Sequence, residues 1–226
     1  MIYQYMLPIY STENSFEVGV DEAGRGPLFG RLYVAAVILP EGGFDNPHIK
    51  DSKKIKSKKK ITELSEYIKS NAYAWSISFV EHTVIDEINI LQAVYRGMHA
   101  CIRDCISKID VFENRTCLLI DGNSFKPLPV YDEPTDRYIT LPYETIEGGD
   151  NKYQAIAAAS ILAKQARDQW VEDLCKEYPG LIERYSLDKN MGYGTKAHLS
   201  GILEHGITQW HRKTFGCCKT AAFQPL

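Results

Sequence analysis

Val18-Gly-Val-Asp21-Glu22-Ala-Gly24-Arg25-Gly26-Pro-Leu-Phe-Gly30 sets two adjacent carboxylates where an apolar strand runs out into a glycine-rich turn. The strand is read from Phe16, Val18 and Val20 alternating with Glu17 and Gly19, and the turn from Gly24, Gly26 and Pro27. Asp21 and Glu22 thus stand at a strand's carboxyl end beside exposed backbone amides, where a metal-dependent site would begin.

Further along, Leu32 to Leu39 is an almost unbroken apolar run, which suits a strand buried on both faces and paired with the first. A charged helix is expected over Ser57 to Ser70, a third strand over Tyr73 to Val80, and one long amphipathic helix from Ile85 to Ile106. Cys117 to Asp121 reads as a short buried strand ended by an Asp-Gly turn, and Tyr138 to Ile146 as a further strand closing in Glu147-Gly-Gly-Asp150. An alanine-rich helix is expected over Asn151 to Glu177, and a short one over Lys196 to Glu204. The fold class is α/β, a mixed central sheet flanked by helices, with a catalytic core over 1–178 and a small helical lobe over 179–226 packed on it as one functional unit.

With 226 residues, 44% of them hydrophobic, the chain can bury one substantial core. Its net charge of −3 excludes a generally basic nucleic-acid coat protein, so contact with a polyanion must come from a local patch. The run Lys50 to Lys60, with seven lysines against one aspartate, is such a patch; composition by itself favours a solvated surface there, and phosphate binding is the sharper alternative. Six cysteines without paired metal-ligand spacing suit a reduced intracellular chain. The first residues carry neither a basic leader nor a long apolar run, so a cytoplasmic protein without a membrane span is expected.

Carboxylates end three of the expected strands: Asp21 with Glu22, Asp121, and Asp150 just beyond the last. Strand ends of an open sheet gather along one edge, so these acids can converge there. Closely set carboxylates repel one another, and a hard divalent cation such as Mg²⁺ or Mn²⁺ relieves the repulsion; two such ions suit phosphoryl transfer. Simpler readings stand beside this one, since Asp121 before Gly122 fits a turn and Asp150 fits a helix cap. Gly192-Tyr193-Gly194 either presents a ring for stacking on sugars or bases, or packs the lobe against the core. His198 and His211 fit structural roles as well as proton transfer, and His211 is left without a role.

Taken together, Asp21 to Gly30, Asp51-Ser-Lys53-Lys54, Asn89-Ile-Leu-Gln-Ala93, Ile120-Asp-Gly-Asn123, Gly148-Gly-Asp150, Ala157 to Lys164 with Arg167-Asp168, and Gly192-Tyr-Gly-Thr195 resemble the ribonuclease HII family, in family order. The resemblance implies a ribonuclease H-like fold that cuts RNA within RNA–DNA hybrids, or 5′ of ribonucleotides embedded in duplex DNA, by two-metal-ion catalysis with Mg²⁺ or Mn²⁺. Products would carry 3′-hydroxyl and 5′-phosphate ends. It implies catalytic metal ligands at Asp21, Glu22, Asp121 and Asp150, and substrate contacts at Gly24, Arg25, Gly26, Lys53, Lys54, Lys164 and Tyr193. The Gly-Arg-Gly turn would meet the ribose 2′-hydroxyl, and Tyr193 would stack on the sugar at the RNA–DNA junction. That turn, and an N-terminus too short for an extra domain, favour this family over its sister, ribonuclease HIII. Arg31 for Pro, Met191 for Lys and Thr214 for Ser depart from the family pattern, none at a carboxylate. A monomer is expected, with a sliding-clamp contact through the Ala221 to Leu226 tail as a weaker possibility than a frayed terminus. A DNA-resolving nuclease of the same architecture and a non-catalytic hybrid-binding module are the competing readings.

Overall fold

The computed structural model describes residues 6–226 apart from 50, 51, 53, 54, 56, 112–114 and 134. Strand β1 (Phe16–Ala23) lies in the middle of a five-stranded sheet, flanked by β2 (Leu32–Ile38) and β4 (Thr116–Asp121), with β3 (Ala74–Val80) and β7 (Tyr143–Ile146) at the edges. β1 runs antiparallel to β2 and parallel to β4, and β4 runs parallel to β7. All of β2 is buried, as its apolar run requires. Its side chains alternate between two cores: Val34 and Ala36 face Met98 and Ile102 of helix α3 (Ile90–Ile106), while Ala35 and Val37 face α1 (Lys58–Asn71) and α4 (Gln154–Glu177). α4 lies directly across β1 because Gly19 has no side chain there; a Cβ would run into the Ala155 backbone.

Two expected elements are each divided. The helix read over Ile85 to Ile106 is α2 (His82–Ile88) followed by α3, interrupted at Asn89, whose φ of 66° leaves the helical region. The Asn89 side chain accepts from the amides of Leu91 and Gln92, so it starts the second helix in the act of ending the first. The strand read over Tyr138 to Ile146 is β6 (Arg137–Thr140) and β7, parted at Leu141-Pro142. β6 pairs with β5 (Pro129–Asp132), a strand the periodicity did not reveal, in a separate two-stranded ribbon, and β7 joins β4. Proline lacks an N–H and marks the change of partner, while the Pro142 carbonyl accepts from Leu118.

Beyond α4, helices α5 (Gly180–Tyr185), α6 (Leu187–Asn190) and α7 (Lys196–His205) gather around Leu181, Tyr185, Leu187 and Ile202. Phe29, from the turn after β1, is wholly buried in this cluster. The C-terminal tail is tied down: Ile207 donates to Ala222 and Gln224 donates to Ile207, both at 2.8 Å. Among the described residues no helix is long and apolar enough to cross a membrane, and the six cysteines are free thiols.

Candidate active site

Val20 pairs with Ile120 on parallel neighbours, so Asp21 and Asp121 follow at the same sheet edge, one residue further on each strand. Asp121 in turn pairs with Ile146, the last residue of β7. The chain then turns through Gly148, at φ +63°, into a short 3₁₀ turn, Gly149–Asn151, that carries Asp150. Gly149 N–H donates to Asp121 Oδ1 at 2.7 Å, so the loop bearing one predicted ligand orients another. Asp150 does not cap α4, whose N-cap is Tyr153; it is buried and accepts from Asn151 Nδ2 at 2.9 Å.

Asp21, Glu22 and Asp121 line a cleft of about 240 Å³ together with Gly24, Arg25, Gly26, Lys164 and Tyr193; Asp150 lies outside the lining. Asp21 accepts from the Glu22 amide at 2.7 Å. Its carboxyl is held well above the usual range, first by burial, then by the charges of Glu22 and Asp121, with a hydrogen bond from Ser160 opposing. Among the described residues no three Asp, Glu, His or Cys side chains are gathered closely enough to hold a metal ion. The all-carboxylate oxygen chemistry nevertheless suits a hard divalent cation, which would offset the repulsion that raises Asp21.

The substrate-contact candidates divide. Gly24 sits at φ +95°, where a Cβ would strike Arg167, so glycine is required twice over. Arg25 is exposed and approaches Glu22 at 3.6 Å. Tyr193 keeps 48% of its surface exposed, with the Arg167 guanidinium 5.5 Å from its ring centre. Lys164 is bound to Asp168 at 2.6 Å on the cleft wall. Lys53 and Lys54, with most of the lysine patch, lie outside the described residues. Immediately before them in sequence, Ser52 is buried with its hydroxyl 2.9 Å from that of Ser160. Ser160 had no role in the sequence reading; a serine amid the alanines of α4, one turn before Lys164, was the available signal.

Arg212, a cation whose charge would ordinarily keep it at the surface, is wholly buried. Its guanidinium donates to four carbonyls of the turn: Gly24 at 2.7 Å, Arg25 at 3.1 Å, Pro27 at 3.0 Å and Gly30 at 2.9 Å. His198 and His211 are also buried, with their Nε2 atoms 3.1 Å apart. Each family departure has a local partner. Arg31 pairs with Glu81 at 2.6 Å over the Phe79 ring, the Thr214 hydroxyl donates to Asp86, and the Met191 carbonyl accepts from Arg167.

Solved structures share the fold. Ribonuclease H2 from Pyrococcus horikoshii OT3 superposes with a TM-score of 0.68 at 20% identity, covering 90% of this chain and 95% of its own. A ribonuclease HIII crystallised with Mn²⁺, Bst-RNase HIII, gives 0.66 at 19% identity, covering 92% of this chain and 70% of its own. The Archaeoglobus fulgidus ribonuclease HII solved as a complex with PCNA gives 0.62 at 22%, covering 89% and 95%. Fold and relatives together define a metal-dependent ribonuclease, a hydrolase. The chain belongs to the ribonuclease HII family, whose model matches residues 18–218. The ribonucleases HII of Parabacteroides distasonis and Bacteroides thetaiotaomicron are each 43% identical over 210 residues, 93% of this chain and 94% of theirs. That membership supports hydrolysis of the RNA strand of RNA–DNA hybrids, with a divalent metal.

Proposed function

We propose that this protein cleaves on the 5′ side of ribonucleotides embedded in duplex DNA as well as within RNA–DNA hybrids, leaving 3′-hydroxyl and 5′-phosphate ends. The observation that carries this reading is one cleft lined by both the Asp21, Glu22 and Asp121 carboxylates and the Gly24-Arg25-Gly26 turn with Tyr193. Asp21, Glu22, Asp121 and Asp150 would hold Mg²⁺ or Mn²⁺. When bound, a pair of such ions supplies charge stabilisation at the attacking and leaving oxygens of a phosphodiester. The chain's own part is orientation. Gly149 N–H aims Asp121, and Ser160 steadies Asp21. The backbone of the turn meets the ribose 2′-hydroxyl, and the exposed face of Tyr193 stacks on the neighbouring sugar. Lys164, Lys53 and Lys54 contact the phosphates.

The core over 1–178 and the helical segment over 179–226 act as one unit, because Phe29 from the turn is enclosed by the latter. A monomer suffices for this reading, since one chain supplies both acids and turn. Free thiols throughout fit a reducing, cytoplasmic setting. The PCNA contact belongs to the Archaeoglobus protein; the tail here is bonded back to Ile207, and no clamp contact is proposed for it.

The test is cleavage of a duplex bearing one ribonucleotide beside its all-DNA counterpart, with product ends mapped with and without Mg²⁺ or Mn²⁺. Metal-dependent cutting of the first alone is expected. Equal cutting of both would favour a DNA-resolving nuclease, and no cutting of either would favour a binding module.

A further inference from the structure

Residues 210–212 are laced to the turn after β1. Gly30 N–H donates to the Trp210 carbonyl at 2.9 Å and Arg212 N–H to the Leu28 carbonyl at 2.8 Å. From this anchored backbone two consecutive side chains reach in different directions. The Arg212 guanidinium gathers the carbonyls of Gly24, Arg25, Pro27 and Gly30, and a planar fork of fixed donors leaves those peptides little freedom to rotate. No peptide bond among the described residues is cis, and in a trans peptide the N–H points opposite to the C=O. With the Gly24 and Arg25 carbonyls drawn to Arg212, the Arg25 and Gly26 amides are turned away from it.

His211 works through His198. The Thr208 amide donates to His211 Nδ1 at 2.9 Å, so the proton of a neutral His211 must sit on Nε2. That nitrogen faces His198 Nε2 at 3.1 Å, which must then accept, leaving the His198 proton on Nδ1 to be donated to the Tyr193 carbonyl at 3.0 Å. One assignment of protons satisfies every link, and it ends on the backbone of the exposed ring.

We infer that His211 and Arg212 are positioning residues for ribonucleotide recognition: Arg212 sets the peptide orientation of the Gly24 to Gly30 turn, and His211, through His198, sets the place of Tyr193. Because they are consecutive, they fix the gap between turn and ring, and that gap gives selectivity for a ribose. The inference rests on the reading above that turn and ring touch the ribonucleotide. It removes His211 from proton transfer at the phosphate, since its ring is wholly buried and both nitrogens are engaged.

The test is binding, with Mg²⁺ present, in a cleavage-silent Asp121→Asn background. Duplexes with and without one ribonucleotide are compared by fluorescence anisotropy. Arg212→Lys and His198→Ala are expected to lower the preference for the ribonucleotide duplex by about tenfold, the worth of roughly one lost hydrogen bond, while all-DNA binding stays within about twofold. His198→Asn, which keeps an N–H toward the Tyr193 carbonyl, should regain most of the preference. Parallel loss on both duplexes, or an unchanged preference, would overturn the inference. Should Arg212→Lys fail to fold, the His198 pair of variants decides. If the parent shows no preference, the reading of turn and ring fails instead, and hydrogen exchange over 24–30 and 192–195 decides the positioning role. Faster exchange in His198→Ala supports that role; unchanged exchange refutes it.

Discussion

Asp21 carries a charge that the folded protein alone does not favour. It is 4% exposed, and burial, Glu22 and Asp121 all raise its carboxyl above the usual range. Asp21→Asn should therefore abolish cleavage yet stabilise the metal-free protein by about 1 kcal/mol or more, a rise of a few degrees in melting temperature. A lower melting temperature with cleavage intact would contradict both parts. The imidazoles act with the opposite sign. Burial, then His198, then His82 push His211 down from 6.5 to about 3, and burial also lowers His198. The unfolded chain binds more protons than the folded one in that window, so this stability is complete above about pH 6.5 and is lost as pH falls toward 3. Urea midpoints should drop over that range, and drop less in His198→Asn. Arg212, at a buried site beside Arg167, is lowered to about 9, which leaves it charged at neutral pH.

Where an element begins or ends, a few side chains decide. Asn89 combines φ 66° with two cap hydrogen bonds to the head of α3. Asn89→Ala loses the cap and keeps the unfavourable backbone, which should destabilise the protein by roughly 1–3 kcal/mol, checked by urea unfolding. Asn89→Gly, which relieves the backbone alone, should lose less. Continuous helical periodicity on both sides hid this break, because Ile88 and Leu91 keep the apolar spacing across it. Likewise β5 and β6 were illegible as a pair because they pair with each other and not with the main sheet, and each four-residue strand turns a single half-buried aliphatic residue, Val130 or Ile139, toward the core, too little to show an alternation.

For the molecule as a whole, a net charge of −3 and a local lysine run make duplex binding a matter of the patch. Affinity should fall about ten- to hundredfold between roughly 50 and 200 mM salt, read as the slope of log affinity against log salt. A flat slope would assign the lysines to a solvated surface. The direction of the sheet makes the candidate site possible: β1, β4 and β7 are parallel, so their carboxyl ends, and the acids on or after them, share one edge.

Much of this was already present in the chain. The alternation before Asp21, the apolar run of β2 and the glycines of the turn are local patterns, and local patterns specify strands, turns and the acids that end them. Motif order was enough to indicate the family. The roles of His211 and Arg212 were decided only by the tertiary structure. Arg212 meets carbonyls 182 to 188 residues away in sequence, and His211 reaches Tyr193 only through His198. Whether a basic side chain lines a groove or is buried against backbone depends on what folds over it, and no local spacing carries that information.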